Sequence, residues 1–192
     1  MEADAGLCLK GSIIEGPVTA RVIKPLVVST IRHLPDAGKA VTDALRQAGV
    51  PALPTPGHFL GPLVPAQQME GPWAVWCSPT EIKVLGVDDA SAKVLKAELV
   101  NESLACVVDQ SDASLIFELT GAHLDQFLSR LLDSHSIPVR AGHASIARLG
   151  EIRATLMRHT PDRLWLMIDR SHGQYLEGWL SFVSTNHESS AN

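Results

Sequence analysis

Short apolar runs alternate with helical patterns along most of the chain, and four strand–helix units follow one another between residues 21 and 183. An apolar run of about four to eight residues is typical of a strand, whereas apolar residues three and four positions apart indicate one face of a helix. The predicted strands of the four units cover residues 26–31, 82–87, 115–119 and 164–168. Their predicted helices begin after Asp36, at Asp89, near Leu124 and after Ser171.

Apolar stripes and capping residues support these helices. Asp88 is predicted to cap the second helix, and Ser171, with Gln174 three positions later, has the capping-box pattern for the fourth. The stripes of the first and third helices are Val41, Ala44, Leu45 and Ala48, and Leu124, Phe127, Leu128 and Leu131. The predicted buried face of the fourth helix contains Tyr175, Leu176, Trp179, Leu180 and Val183.

Three further strands are predicted at residues 104–108, 145–149 and 152–158. Strands therefore outnumber helices, and two pairs of strands follow one another with no helix between them. This order is typical of antiparallel pairing, because parallel neighbours need a crossover of about a dozen residues or more. The predicted fold class is α+β, with mostly antiparallel sheets that have their helices on one face.

A segment rich in proline and glycine interrupts this pattern at residues 51–72, with six prolines and three glycines. Two interpretations are open: a surface crossover between strands, or a docking arm, since a stiff loop loses little conformational entropy when a partner fixes it. Aromatic residues are enriched where partners bind. Trp73, Trp76, His58 and Phe59, within or beside this segment, are therefore the candidate partner-interface residues, while Trp165 and Trp179 are assigned to the core.

Composition limits the classes of function. The chain of 192 residues has a formal net charge of −5 and no cationic run of the kind that nucleic-acid binding needs. Its apolar runs are shorter than the roughly 20 residues of a membrane span, and Cys8, Cys77 and Cys106 are too scattered for a disulfide framework. We predict a cytoplasmic protein that binds neither nucleic acid nor membranes, with loosely ordered ends at residues 1–20 and 184–192 around a domain at 21–183.

Motifs for catalysis and cofactor binding are absent from the sequence. It contains no Gly-x-Gly-x-x-Gly, no phosphate-binding P-loop and no Gly-x-Ser-x-Gly turn, and its eight histidines lack the spacing of a metal site. Asp109, Asp112, Glu118 and Asp169 are the acidic candidates for proton transfer, and for Asp169 a structural role at a helix start is preferred. We therefore predict no catalytic, cofactor-binding or metal-binding residues in this chain.

Four segments in a fixed order carry a resemblance to a known family. They are 76–85, with Trp76, Pro79, Glu81 and Leu85; 108–121, with Asp109, Ser111 and Gly121; 142–148, with Gly142 and Arg148; and 168–180, with Asp169, Ser171, Tyr175 and Trp179. Together with the opening unit at 23–28, they resemble the small gamma subunit of heterotetrameric sarcosine oxidase. In this chain Cys77 and Ser78 stand where that family has a glycine before the proline.

The resemblance implies a fold like that of the folate-binding domain of T-protein, built from two intimately packed halves. It also implies larger flavin-containing alpha and beta subunits and a small delta subunit, which together hold FAD, FMN, NAD and tetrahydrofolate. The expected function is that of a non-catalytic subunit in a complex that oxidatively demethylates sarcosine (N-methylglycine) or a related N-methyl amino acid. The alternative is a free-standing folate-binding or one-carbon-transfer protein of the T-protein class, with Asp109 or Asp169 holding the pterin.

Overall fold

The computed structural model describes residues 12–14, 16–23, 26–63 and 71–188. Within these ranges the chain forms eleven strands and four α-helices. The strands are β1 (Ser12–Ile14), β2 (Thr19–Val22), β3 (Val28–His33), β4 (Phe59–Leu60), β5 (Trp73–Ser78), β6 (Glu81–Leu85), β7 (Ala105–Asp109), β8 (Ser114–Thr120), β9 (Ala144–Leu149), β10 (Ile152–Thr160) and β11 (Arg163–Asp169). The helices are α1 (Gly38–Gln47), α2 (Asp89–Leu99), α3 (Leu124–Leu128) and α4 (Gly173–Glu188).

The strands form two sheets whose pairs are all antiparallel in the part of the chain described. One sheet has the order β1-β2-β8-β11-β10-β9, and the other has the order β4-β5-β6-β3-β7. The core of the second sheet, β5-β6-β3-β7, has the strand order of a βαββαβ unit. The core of the first sheet repeats this order as β10-β11-β8-β2, but its last position is filled by a strand from the N-terminal end.

The core of the protein consists of three apolar layers. One layer joins the six-stranded sheet to α3 and α4, and another joins the five-stranded sheet to α1 and α2. The third layer lies between the two sheets and contains Trp73 and Leu85 from one sheet and Trp165 and Met167 from the other. Each sheet therefore has helices on its outer face and the other sheet on its inner face, which confirms the predicted α+β arrangement.

The alternation of side chains along the strands explains these layers. In β8, Leu115, Phe117 and Leu119 belong to the helix-facing layer, whereas Ile116 belongs to the layer between the sheets. Successive residues of a strand point to opposite faces, and both faces of this sheet are covered, so the strand is buried on both sides. This is why the central strands contain nearly continuous apolar runs.

The two sheets are also connected through the backbone at one edge. His58 and His143 form an isolated antiparallel bridge. Beside it, the N–H of Phe59 donates to the carbonyl oxygen of Gly142 at 3.0 Å, and the N–H of Ala144 donates to that of Gly57 at 2.8 Å. The short strand β4, which lies within the proline-rich segment, is therefore paired with β5 and also joined by backbone hydrogen bonds to the residues at the start of β9.

The structure confirms several predicted helices and strands, together with the apolar and capping residues that predicted them. The first helix buries its predicted stripe of Val41, Ala44, Leu45 and Ala48. The second helix begins at Asp89, and Asp88 caps it by accepting a hydrogen bond from the Ser91 N–H at 2.7 Å. The seven predicted strands have observed counterparts whose bounds differ from the predicted ones by at most two residues at either end.

The predictions for the fourth helix need correction. Asp169, not Ser171, is the capping residue: residues 170–172 form a 3₁₀ turn, and α4 begins at Gly173. Tyr175 is exposed to 57%, and Trp179 is only partly buried. The helix buries Leu176, Leu180 and Val183 at spacings of four and three, so Tyr175 and Trp179 lie one position away from this stripe.

Both predicted loose ends contain regular structure. Strand β1 and the start of β2 lie within residues 1–20, and Ala20 is fully buried. At the other end α4 continues to Glu188. Residues 1–11, 15 and 189–192 of these ends, residues 24–25 of the opening unit and residues 64–70 of the proline-rich segment lie outside the described residues.

Candidate functional site

The four candidate interface residues divide into two groups. Trp73 is fully buried and Phe59 is 4% exposed, so both belong to the layer between the sheets and not to an interface. Trp76 is half-buried and His58 is exposed. The structure therefore corrects the interface prediction at Trp73 and Phe59, because a side chain enclosed by its own chain offers no surface to a partner.

Trp73 is held in place by the proline-rich segment itself. Its indole N–H donates to the carbonyl oxygen of Pro62 at 2.7 Å. Gly61 and Gly86 have positive φ angles of 134° and 68°, and a Cβ at either position would lie 2.5 Å or 2.6 Å from the Trp73 ring. Only glycine permits this approach without displacement of the indole. The described part of the segment therefore packs on β5.

An aromatic cluster occupies the centre of the layer between the sheets. The ring centroids of Trp73 and Trp165 are 4.8 Å apart, and that of His159 lies 4.3 Å from Trp165 and 4.9 Å from Phe59. Edge-to-face and tilted aromatic pairs at such distances stabilise a core beyond their area burial. The cluster is thus a packing element that includes one titratable side chain, His159.

His159 is expected to make the stability of the protein depend on pH. Burial, and then the charge of Arg163, lower the pKa of His159 to about 3, from the ordinary value of 6.5. As the pH falls from about 6.5 towards 3, the unfolded chain binds a proton that the folded chain does not. The free energy of unfolding should therefore decrease by up to about 1.4 kcal/mol per pH unit in this range. Urea unfolding at pH 7 and pH 5 measures it.

The comparison variants for this prediction are His159→Leu and His135→Leu. His159→Leu should flatten the dependence on pH, whereas the substitution at the exposed His135 should leave its slope unchanged. If the free energy of unfolding of His159→Leu depends on pH as steeply as that of the wild type, the conclusion that His159 is buried as a neutral imidazole is wrong.

Glu118 is a buried carboxylate of β8 with charged and polar partners from β2 and β11. It is 1% exposed, and its Oε1 lies 2.6 Å from Nη2 of Arg21. Its Oε2 lies 3.4 Å from Nη1 of Arg163 and accepts a hydrogen bond from the indole N–H of Trp165 at 3.1 Å. Arg21 and Trp165 are the residues directly opposite Glu118 on β2 and β11. This acidic candidate is therefore a structural ion-pair centre.

Two of the other acidic candidates, Asp109 and Asp169, accept local hydrogen bonds from the serine two residues later. Asp109 accepts hydrogen bonds from the Ser111 N–H at 3.0 Å and its hydroxyl at 2.7 Å, and Asp169 accepts the same pair from Ser171 at 2.9 Å and 2.7 Å. These bonds lower the pKa of both carboxyl groups. The preferred structural role of Asp169 at a helix start is confirmed. Asp112 contributes its backbone carbonyl, which accepts from Nε of Arg170 at 2.6 Å.

A cleft of about 350 Å³ opens between the two sheets, away from the aromatic cluster. Glu81 and Lys83 of β6 line one wall, and Arg153 of β10 and Asp169 of β11 line the other. The floor is apolar, with Cys77 and Met167 both buried. The sequence predicted no functional role for Lys83 or Arg153, although both residues are next to buried positions of their strands, which was the available signal that they point to a surface or cleft.

Cys77 is a thiol at neutral pH. Burial raises the pKa of the Cys77 side chain to about 11, although the charge of Lys83 acts in the opposite direction. Its Sγ lies 3.7 Å from the carbonyl oxygen of Val75, to which it donates. The thiolate is the nucleophilic form of cysteine, so this residue has the properties of a packing residue.

The described residues contain no group of three or more His, Cys, Asp and Glu side chains arranged to hold a metal ion. Across the same residues, no helix combines the length and the apolar character that crossing a membrane requires. His58 and His143 are the two histidines that pack on each other, with ring centroids 4.7 Å apart.

Comparisons with known proteins give structural matches. No family model and no curated protein sequence matches the chain. A chain of heterotetrameric sarcosine oxidase from Corynebacterium sp. U-96, in complex with pyrrole 2-carboxylate, superposes with a TM-score of 0.77 at 19% identity, over 90% of this chain and 87% of that chain. Glycine cleavage system aminomethyltransferase T from Bartonella henselae superposes with a TM-score of 0.59 at 10% identity, over 83% of this chain and 44% of that one. These matches confirm the expected fold: the chain has the fold of a chain of heterotetrameric sarcosine oxidase, which part of aminomethyltransferase T shares.

Proposed function

We propose that this chain is the non-catalytic small subunit of a multisubunit cytoplasmic oxidoreductase of the sarcosine oxidase type. The complex would oxidatively demethylate sarcosine or a related N-methyl amino acid. Its other members would be larger flavin-containing alpha and beta subunits and a small delta subunit, which would hold FAD, FMN, NAD and tetrahydrofolate. The observation that carries the proposal is the likeness to a chain of a heterotetrameric enzyme over nearly the full length of both chains.

The use of the reactive side chains supports a non-catalytic role. Glu118 is enclosed by Arg21, Arg163 and Trp165, and Asp169 accepts two hydrogen bonds at a helix start. A general acid or base needs an atom within hydrogen-bond reach of its substrate. A chain whose carboxylates are engaged in this way is suited to a scaffold that leaves the chemistry to companion subunits.

Expression with and without the neighbouring reading frames tests the proposal. Co-expressed, the chain should purify within a yellow flavoprotein complex that oxidises sarcosine. Expressed alone, it should be colourless and should not turn over an N-methyl amine. A chain that stays monomeric beside those reading frames, or that oxidises sarcosine alone, would contradict the proposal.

The two accessible interface candidates can be tested within such a complex. His58→Ala and Trp76→Ala should each reduce the fraction of the chain that co-purifies, because His58 is exposed within the proline-rich segment and Trp76 is only half-buried just after it. Tyr175→Ala is the control, since it removes an exposed aromatic side chain from α4. The melting temperature of each isolated variant separates lost assembly from lost folding. Equal co-purification of all three variants would show that neither His58 nor Trp76 belongs to the interface.

A free-standing folate-binding protein of the T-protein class is the second candidate. The likeness to aminomethyltransferase T and the position of Asp169 on the wall of the cleft favour it. Calorimetry with tetrahydrofolate tests it, with Asp169→Asn as the variant in which binding should weaken. The absence of heat at about millimolar ligand, where even a weak site is substantially filled, would remove this candidate.

A further inference from the structure

The cleft between the sheets contains two cationic side chains, one on each wall. Lys83 is half-buried on β6, and Arg153 reaches the same space from β10 of the opposite sheet. Within the described part of the chain, neither side chain forms an ion pair with a carboxylate. The positive charge of Lys83 acts to lower the pKa of two neighbouring groups, Cys77 on the floor and Asp169 on the rim.

The acidic side chains of the cleft already have partners. Glu81 pairs with Arg32, with Oε2 3.2 Å from Nη2, and Glu151 pairs with Arg148 at 3.1 Å. Asp169 accepts the two hydrogen bonds from Ser171 that hold the start of the last helix. Each of these carboxylates therefore already has a bonding partner, and with Arg32 and Arg148 counted, four cations and three carboxylates lie in or beside the cleft.

The size and the floor of the cleft restrict what such a site can hold. Its volume of about 350 Å³ lies at the lower end of the range of small-molecule pockets. Cys77 and Met167 give the floor of the cleft an apolar lining for the body of a ligand. An organic carboxylate matches both this size and this apolar floor better than inorganic phosphate does.

We propose that the cleft between the sheets binds a small organic carboxylate, whose acid group lies between Lys83 and Arg153 and whose body contacts Cys77 and Met167. A planar guanidinium can donate two parallel hydrogen bonds to a carboxylate, and the lysine ammonium supplies a point charge from the other wall. Because the two cations come from different sheets, the ligand bridges the two halves of the molecule. The proposal depends on neither of the functions proposed above.

An NMR titration of the chain tests the proposal, because amide shifts report both the affinity and the location of a ligand. The probes are benzoate, the neutral isostere benzamide, and inorganic phosphate. Benzoate should shift amides of β6 and β10 in a saturable manner, and benzamide should not. Arg153→Gln and Lys83→Met should each weaken benzoate binding by about tenfold or more, the usual effect of losing a charge-assisted hydrogen bond.

Matched variants keep the result decisive. Lys83→Arg retains the charge and should retain most of the affinity, and Lys93→Met removes an exposed lysine from α2 and should change nothing. If Lys83→Met does not fold, Arg153→Gln on the exposed rim decides alone. Three results would overturn the proposal: benzamide or phosphate binding as tightly as benzoate, benzoate affinity unchanged in Arg153→Gln, or no saturable shift up to about 10 mM, where even a weak site would be partly filled.

Discussion

Replacing Trp165 with alanine should lower the free energy of unfolding by about 3–5 kcal/mol, the usual cost of truncating a buried tryptophan. Trp165 is 1% exposed and lies in the layer between the sheets, in ring contact with Trp73 and His159. The substitution leaves a cavity between two rigid sheets and removes the indole donor of Glu118. Urea denaturation of the wild type and the variant measures the difference.

Trp165→Phe and Trp179→Ala are the comparisons for this result. Trp165→Phe keeps an aromatic ring but not the N–H donor, so it should cost less than alanine. Trp179 lies at the border of the α4 stripe and is only partly buried, so Trp179→Ala should cost about 1–2 kcal/mol, in the middle of the usual range for point substitutions. An equal loss in Trp165→Ala and Trp179→Ala would mean that the layer between the sheets is less tightly packed than described.

Glu118→Gln should also destabilise the protein by about 3 kcal/mol or more, the cost expected when one member of a buried ion pair is removed. The amide keeps an acceptor for Trp165, but Arg163, whose side chain is 12% exposed, loses its counter-charge. Arg21 is half exposed and can turn to solvent, which limits the loss on that side.

A double-mutant cycle measures this coupling. Removing both charges with Glu118→Gln and Arg163→Met should recover part of the lost stability, because the remaining group is no longer a buried unpaired cation. Glu151→Gln is the control, since that carboxylate is exposed and pairs with Arg148 on the surface. It should leave the denaturation midpoint unchanged. A similar loss from both glutamate substitutions would contradict the role assigned to Glu118.

Elements of the fold could be predicted from the sequence where the residues that define them are close together in the chain. The Asp88 cap and the apolar spacing of α1 lie within a few residues of the elements they define, and both predictions were confirmed. The start of the last helix is not fixed by such a local signal, because Asp169 and Ser171 are both residue types that cap helices. The 3₁₀ turn between them decides which one acts, and this turn has no pattern in the sequence.

The candidate site depends on contacts that the sequence does not pair. The position of Trp73 beside the proline-rich segment predicts an interface residue. In the structure its ring is buried and packs against Gly61 and Gly86, each more than ten residues away in the sequence. Lys83 and Arg153 are far apart in the chain and belong to different sheets. Their proximity results from the packing of two sheets against each other, which hydrophobic periodicity within each strand does not specify.

The strand order of the six-stranded sheet has a consequence for biosynthesis. Strand β2 completes the C-terminal half, and the contact between Arg21 and Glu118 spans 97 positions. During translation this N-terminal segment must wait until β8 has left the ribosome before it can pair. Deletion of β2 should therefore destabilise mainly the C-terminal half of the polypeptide, although the strand comes from the opposite end of the sequence.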